Sequence, residues 1–209
     1  GVKDTMVFLV LFGTLIGSCQ KNAGIFEILG TVTDLSSSNG LENCKLYLYS
    51  YPVGTGEELL TDSTFTESDG TYAFSFERDQ MEKYKITFNK DGYFGGEEIV
   101  YFSSLSLEGI NTLNLETYGK SWVGIRLKNN SPQMEDHFRY IKQEGKTNCM
   151  ECCPADEQNF YGNLDTTIYC ANNANENYSI MYWVIGTSIV DIASVNTTFL
   201  DTTLIEVAY

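Results

Sequence analysis

The sequence is poor in basic residues, in histidine and in proline. Its 209 residues include 13 Lys and Arg against 28 Asp and Glu, one His and three Pro, and the formal net charge is −15. A surface this acidic repels the phosphates of nucleic acids, so we exclude a nucleic-acid partner. The scarcity of proline leaves long stretches free to pair as strands, and the 14 Tyr and 12 Phe suit half-buried sheet surfaces.

A single histidine, His137, restricts the chemistry that the chain can carry. Hydrolytic zinc sites need two or three histidines or a His-x-x-Glu spacing, and a nucleophile motif such as Gly-x-Ser-x-Gly is also missing. The paired acids Glu57-Glu58, Glu97-Glu98 and Glu135-Asp136 are typical of solvated charge. We therefore predict that the chain is not an enzyme and that it has no catalytic residue, no metal site and no cofactor.

Long apolar runs are missing too, except for one near the N-terminus. Residues 6–17 (MVFLVLFGTLIG) are uncharged, and Lys3 precedes them. An apolar run of about 7 to 15 residues after a basic residue describes a signal peptide, whereas a membrane-spanning helix needs about 20. If translation starts at Met6 instead, the signal lacks its basic residue.

The apolar run ends in residues 15–19 (LIGSC), where small residues precede Cys19. This segment resembles the lipobox of bacterial lipoproteins. The resemblance implies that residues 1–18 are a signal peptide that is removed and that Cys19 is the lipid attachment site, since several acyl chains anchor a protein where one chain is marginal. The protein would then be held in the outer membrane, at its periplasmic face or at the cell surface. An ordinary Cys19 thiol after a conventional signal peptide remains an alternative.

A short tether, residues 19–25, leads into seven short stretches of strand character. Turn signals such as Ser-Asp-Gly at residues 68–70 and Asp-Gly at 91–92 separate them. Seven strands in about 95 residues predict a β-sandwich at residues 26–118. The predicted strands are 26–33, 44–51, 59–65, 71–77, 84–89, 97–102 and 111–117.

The alternation along the second predicted strand separates a core face from an outer face. Cys44, Leu46 and Leu48 share one side and are predicted to be core residues, with Cys44 as a buried free thiol.

Three tyrosines, Tyr47, Tyr49 and Tyr51, occupy the opposite side of the same strand. Exposed aromatic rings can stack on sugars or anchor a protein partner, so we regard them as a possible binding surface. The alternative is that they pack against the second domain or against side chains of a neighbouring strand.

Three short segments in this domain carry a family resemblance: residues 30–34 (GTVTD), 66–74 (TESDGTYAF) and 89–93 (NKDGY). Together they resemble the carboxypeptidase regulatory-like domain, which is common in envelope proteins of the Bacteroidota. The resemblance implies a transthyretin-like (prealbumin-like) β-sandwich. It implies no peptidase activity, because such domains accompany the peptidase and do not contain its metal ligands.

The strand pattern restarts after residue 118 and predicts a second domain at residues 122–209. Strands are predicted at 123–127, 137–143, 178–186 and 203–209, with a polar, cysteine-rich insert at 144–164. The fold prediction is therefore all-β, with two β-sandwich domains, the second of Ig-like type.

Four cysteines cluster in and beside the insert: Cys149, Cys152, Cys153 and Cys170. In an oxidising compartment an even set predicts two disulfides, with three possible pairings. Cys149-x2-Cys152 also has the spacing of half a zinc site, but a second such pair is missing. Free or redox-active thiols are the third alternative.

These features predict a non-catalytic envelope lipoprotein that acts as a binding or accessory module. Its partners would be the membrane, through the lipid, and an envelope protein complex or a glycan. One alternative is a carbohydrate-binding lipoprotein that uses the three tyrosines. Another is a structural subunit of a surface fibre or transport assembly, and a hydrolytic enzyme that uses His137 or the paired acids comes third.

Overall fold

The computed structural model describes residues 24–209 of the chain. The predicted signal peptide, 1–18, and Cys19 lie outside the described residues, and only the last two residues of the tether, 19–25, lie within them. Within the described part, the regular structure consists of sixteen strands and one 3-10 turn, Phe102–Ser104. The all-β prediction with β-sandwich domains is confirmed.

Nine strands form the first sandwich. β4 and β5 have the bounds predicted from the sequence, and the predicted last strand is divided into β8 and β9. The strands are β1 (Ile25–Asp34), β2 (Asn39–Gly40), β3 (Lys45–Pro52), β4 (Leu59–Phe65), β5 (Thr71–Glu77), β6 (Met81–Asn89), β7 (Gly96–Tyr101), β8 (Asn111–Thr112) and β9 (Leu115–Thr117).

Two sheets face each other in this sandwich. In the first, β1 is central, with β5 and β2 antiparallel along one edge and β8 and β9 parallel along the other. The second sheet has the order β4-β3-β6-β7 and is antiparallel throughout. β4 and β7 are therefore its open edges.

The core between the two sheets is built from every second residue of the facing strands. The predicted core face of β3 is confirmed, since Cys44, Leu46 and Leu48 are fully buried. Alternate aromatic and aliphatic side chains of β1, β5 and β6 fill the remaining space, as the pleat of a strand requires. They include Phe26, Ile28, Tyr72, Phe74, Phe76, Tyr84, Ile86 and Phe88.

Cys44 is the one free cysteine among the described residues, and burial raises the pKa of its thiol to about 11. At pH 8 such a pKa leaves about one thiol in a thousand ionised, and the thiolate is the reactive form. We expect the peptide that contains Cys44 to resist iodoacetamide in the native protein and to react fully in urea, as measured by mass spectrometry. Rapid alkylation of Cys44 in the native protein would contradict its burial.

Seven strands form the second sandwich. Its core contains Val123, Ile125, Leu127, Phe138 and Tyr140, which alternate along the first two strands. The strands are β10 (Lys120–Lys128), β11 (His137–Glu144), β12 (Gln158–Tyr161), β13 (Asp165–Asn173), β14 (Asn177–Val184), β15 (Val190–Asn196) and β16 (Thr202–Ala208).

The second sandwich repeats the strand order of the first. Its sheets are β13-β10-β16 and β12-β11-β14-β15, and β10 runs parallel to the last strand, β16, as β1 runs parallel to β9. In an Ig-type sandwich the first two strands of the chain lie in one sheet, whereas β10 and β11 lie in different sheets. The second domain is thus a β-sandwich as predicted, with the order of the first domain in place of the Ig-like order.

Three strands of the second domain were not predicted. β12 lies inside the segment 144–164, which the sequence predicted to be a polar insert without strands, and β13 and β15 lie in segments with weak alternation. β13 is mostly polar and β15 is largely exposed. Both strands are held by backbone hydrogen bonds to neighbouring strands. The alternation of polar and apolar residues within a strand does not reveal such pairing.

Only two residues, Tyr118 and Gly119, separate the last strand of the first domain from the first strand of the second. Both take part in contacts between the domains: the Phe94 amide donates to the Tyr118 carbonyl (3.1 Å), and the Gly119 amide donates to the Ser36 hydroxyl (2.9 Å). The ring of Phe199 lies 5.2 Å from that of Tyr93. The junction is therefore a bonded interface rather than a free linker.

No helix within residues 24–209 is long and apolar enough to cross a membrane.

Candidate functional site

The three tyrosines of the predicted binding surface lie together on the outer face of the sheet β4-β3-β6-β7. Tyr47, Tyr49 and Tyr51 alternate with the buried side of β3, and each is partly exposed in the folded chain. The Tyr47 and Tyr49 ring centroids are 6.3 Å apart, close to the spacing of about 6.6 Å between next-but-one residues of a strand. The tyrosines thus form a row along the strand.

Lysines from β3 and β6 lie over these rings. The antiparallel register pairs Tyr49 with Lys85 and Tyr51 with Lys83. The Lys85 ammonium is 5.3 Å from the centroid of the Tyr49 ring, and the Lys83 ammonium is 4.8 Å from that of Tyr51. Cations at such distances are attracted by the negative face of an aromatic ring.

At one end of the row, Glu58 contacts both Tyr51 and Lys85. Its carboxylate accepts a hydrogen bond from the Tyr51 hydroxyl and forms an ion pair with Lys85. The Lys85 ammonium and the Tyr51 hydroxyl lower the pKa of the Glu58 carboxyl, and Glu58 in turn raises the pKa of both partners. Lys85 is therefore already neutralised within the chain.

Lys45 and Lys83 differ from Lys85, because within residues 24–209 neither forms an ion pair with a carboxylate. The Lys45 ammonium is hydrogen-bonded to the Ser63 hydroxyl (3.2 Å) and lies 4.1 Å from the centroid of the Phe65 ring. Both cations are thus held on aromatic rings and keep their charge free for a ligand.

Two further aromatic residues extend the surface to the edges of the sheet, and sequence reasoning missed both. Phe65 on β4 pairs with Lys45 and is 55% exposed, and Tyr101 on β7 pairs with Lys83 and is 58% exposed. Their place beside the row depends on strand register, for which the sequence offers no local signal. We call the whole surface the tyrosine face; its aromatic and basic members are Lys45, Tyr47, Tyr49, Tyr51, Phe65, Lys83, Lys85 and Tyr101. Its acidic members are Glu58 and, by strand register, Glu97.

The four clustered cysteines form two disulfides, Cys149–Cys152 and Cys153–Cys170. The second bridge attaches the insert to β13, and the Ala171 amide reinforces this attachment by donating to the carbonyl of Glu151 (2.9 Å). Cys149-x2-Cys152 is therefore a disulfide in this structure, and its sulfurs are not available as thiolate ligands.

His137 lies on the outer face of the second domain, whereas the paired acids Glu57-Glu58 and Glu97-Glu98 belong to the first. The third pair, Glu135-Asp136, directly precedes His137, and the Asp136 carboxylate accepts hydrogen bonds from the Gln133 amide and the Asn129 side chain. The His137 ring stacks on Tyr161 with 4.3 Å between centroids, and its Nε2 is 2.7 Å from the amide oxygen of Asn159. These contacts give His137 a packing role on a sheet surface. In the part of the chain that the structure describes, no group of three or more His, Cys, Asp or Glu side chains is arranged to hold a metal ion.

A cation–π contact between partly exposed side chains lies on the same outer face, and nothing in the local sequence marks it. The Arg139 guanidinium lies 5.3 Å from the centroid of the Trp183 ring and pairs with Glu157. Val190 and Ile192 of the neighbouring edge strand are 67% and 60% exposed. This surface is more apolar than the tyrosine face, and its one cation, Arg139, is neutralised.

Comparison with known proteins yields no family: no family model and no curated protein sequence matches the chain. Similar solved structures include the Bacillus anthracis TIE protein, with a TM-score of 0.40 and 13% identity over 89% of this chain and 34% of that one. A streptococcal ancillary pilin has a TM-score of 0.34 and 9% identity over 90% of this chain and 63% of that one. Catechol 1,2-dioxygenase from Acinetobacter radioresistens has a TM-score of 0.36 and 13% identity over 49% of this chain and 54% of that one.

The chain thus spans about a third of the length of the TIE protein and less than two thirds of the pilin. At these identities and TM-scores, the similarities carry no information about activity or partners.

Proposed function

We propose that this chain is a non-catalytic binding module of the bacterial envelope and that the tyrosine face is its binding surface. The observation that carries the proposal is the combination of a row of partly exposed tyrosines with Lys45 and Lys83, whose charges no carboxylate neutralises within the described residues. Aromatic side chains are enriched at the surfaces by which proteins bind partners, and accessible cations supply charge complementarity to an anionic partner.

The rigidity of the surface supports the proposal. The rings project from the centre of a four-stranded sheet whose opposite face is packed into the core, and Glu58 fixes Tyr51 and Lys85 by hydrogen bond and ion pair. A preformed surface loses little conformational freedom when it binds, so more of the contact energy appears as affinity.

The envelope location is part of the same proposal. A lipid on Cys19 would anchor the protein in the outer membrane, and the short tether would hold the first domain, with its tyrosine face, close to the lipid surface. The two disulfides are in keeping with an oxidising compartment such as the periplasm.

A photo-crosslinking experiment tests the binding surface in intact cells. Tyr49 is replaced by benzoylphenylalanine, which reacts with nearby C–H bonds of proteins and glycans alike. The matched control carries the same residue in place of Tyr169, a 63% exposed tyrosine of the second domain. We expect a covalent adduct at position 49 on irradiation and a much weaker one at position 169.

Equal adducts at both positions, or none at position 49, would contradict the assignment of the tyrosine face as the binding surface. Mass spectrometry of the adduct distinguishes a protein partner from a glycan.

A further inference from the structure

We propose that the tyrosine face binds an anionic polysaccharide that contains uronic acid residues. This inference rests on the proposed function, because it names the ligand class of the same surface. Two features of the face point to this class: the row of rings and the position of the free cations beside it.

The row of rings suits a polymer of sugar rings. The axial C–H bonds of a pyranose carry a slight positive charge and stack on the negative face of an aromatic ring. The Tyr47 and Tyr49 ring centroids lie 6.3 Å apart along β3, and Phe65 and Tyr101 flank the row at the two sheet edges. A linear polysaccharide can therefore contact several rings at once, and each added contact raises the affinity.

The cations suit a ligand that carries negative charge at intervals. Lys45 lies at one end of the row and Lys83 at the other, each beside a tyrosine ring. Two carboxylates of such a polymer would pair with these two ammonium groups while the sugar rings between them lie on the tyrosines. A neutral polysaccharide would leave both charges unused.

The rest of the chain favours the same site for a polyanion. With a formal net charge of −15, most of the surface repels negatively charged polymers. Two other lysines are already engaged within the fold: Lys120 pairs with Glu151, and the Lys142 ammonium donates to the carbonyls of Lys146 and Cys153. The exposed Lys128 has no carboxylate partner among the described residues. The tyrosine face differs from Lys128 in that two cations without a carboxylate partner lie beside a row of aromatic rings on one sheet.

An acidic peptide fits this face less well than a polysaccharide does. A peptide that adds to a sheet binds at an open edge, where backbone groups are unpaired. The tyrosine row instead lies on β3, a central strand that pairs with β4 on one side and with β6 on the other. Only side chains are offered there, and most of them are aromatic.

The test measures binding of the mature, lipidated chain in neutral detergent micelles by isothermal titration calorimetry. The probes are polygalacturonate, dextran as a neutral polysaccharide, and polyglutamate as a polyanion without sugar rings. We expect polygalacturonate to bind at least about tenfold more tightly than either of the others, a difference of about 1.4 kcal/mol. Added salt should weaken this binding, because it screens the lysine charges.

Variants locate the site on the face. Lys45→Gln combined with Lys83→Gln, and separately Tyr47→Ala combined with Tyr49→Ala, should each lower the affinity for polygalacturonate about tenfold. The matched control combines Lys128→Gln with Tyr169→Ala, two exposed residues of the second domain, and should bind as the wild type does. Circular dichroism confirms that each variant is folded.

Three outcomes would overturn the inference. Equal binding of polyglutamate and polygalacturonate would assign the site to acidic polymers in general, including peptides. Equal losses in the control and in the face variants would remove the tyrosine face as the site. Absence of polygalacturonate binding, with a protein adduct at position 49 in the crosslinking experiment, would reject the polysaccharide and leave the proposed function standing.

Discussion

Replacing Cys153 and Cys170 together by alanine is expected to lower the free energy of unfolding of the second domain by about 3 kcal/mol. This bridge closes a loop over a sequence separation of 17, and its main effect is to restrict the unfolded chain. It also holds the insert against β13, beside the hydrogen bond from Ala171 to Glu151. Trp122 and Trp183, the two tryptophans of the chain, both lie in the second domain, so tryptophan fluorescence during urea denaturation measures the effect.

The other bridge provides the matched control. Cys149–Cys152 closes a sequence separation of only 3, and its removal should cost about 1.5 kcal/mol by the same entropy argument. Similar losses for the two double variants would show that loop closure is not what the Cys153–Cys170 bridge contributes.

Gly30→Ala is expected to destabilise the first domain by about 3 kcal/mol. Gly30 lies on β1 opposite the short segment that connects β8 to β9. The backbone of this connecting segment comes close to Gly30. A Cβ at this position would lie 1.7 Å from the carbonyl oxygen of Leu113. That oxygen belongs to the backbone and accepts a hydrogen bond from the Tyr72 hydroxyl (2.7 Å), so it cannot move without loss of this bond.

The control for this substitution is Gly109→Ala, since a Cβ there meets no atom within 4 Å. Its effect should stay within about 0.5 kcal/mol. The loss at Gly30 should appear in the far-ultraviolet circular dichroism of the whole chain and much less in the tryptophan fluorescence, which reports on the second domain. If Gly30→Ala left the free energy of unfolding unchanged, β8 and β9 would have to lie farther from β1 than described.

The first domain was predictable because its signals are local. β4 and β5 have strong turn residues at their ends, and β5 alternates regularly between buried aromatic and exposed residues. Turn residues fix where such strands begin and end, and alternation fixes which side faces the core. The core positions of β3 and the outward direction of Tyr47 followed from the same rule.

The remaining features depend on pairing between distant segments. β13 and β15 were missed because backbone bonds to β10 and β14, more than their own residues, hold them in place. The strand order of the second sandwich depends on the parallel contact of β10 with β16, about 80 residues farther along the chain. Such contacts leave no trace in local composition.

The tyrosine face shows the same division between local and distant signals. The row itself could be identified from alternation in one strand. Lys83, one of the two free cations, and Lys85 are placed beside the row by the register of β6 against β3, and a shift of one residue would turn both towards the core. The alternation of β3 therefore predicts the binding surface, whereas the charge of its ligand follows from the pairing of β3 with β6.

The parallel pairing of first and last strands gives each domain a particular response to tension. Because β10 and β16 run side by side in the same direction, a pull on the two ends of the domain slides them past each other and loads all seven of their residue pairs together. An antiparallel pair pulled from one end would instead open one bond after another. In the first domain β1 has only three residue pairs with β9 and two with β8. The first sandwich is thus the weaker of the two under mechanical load.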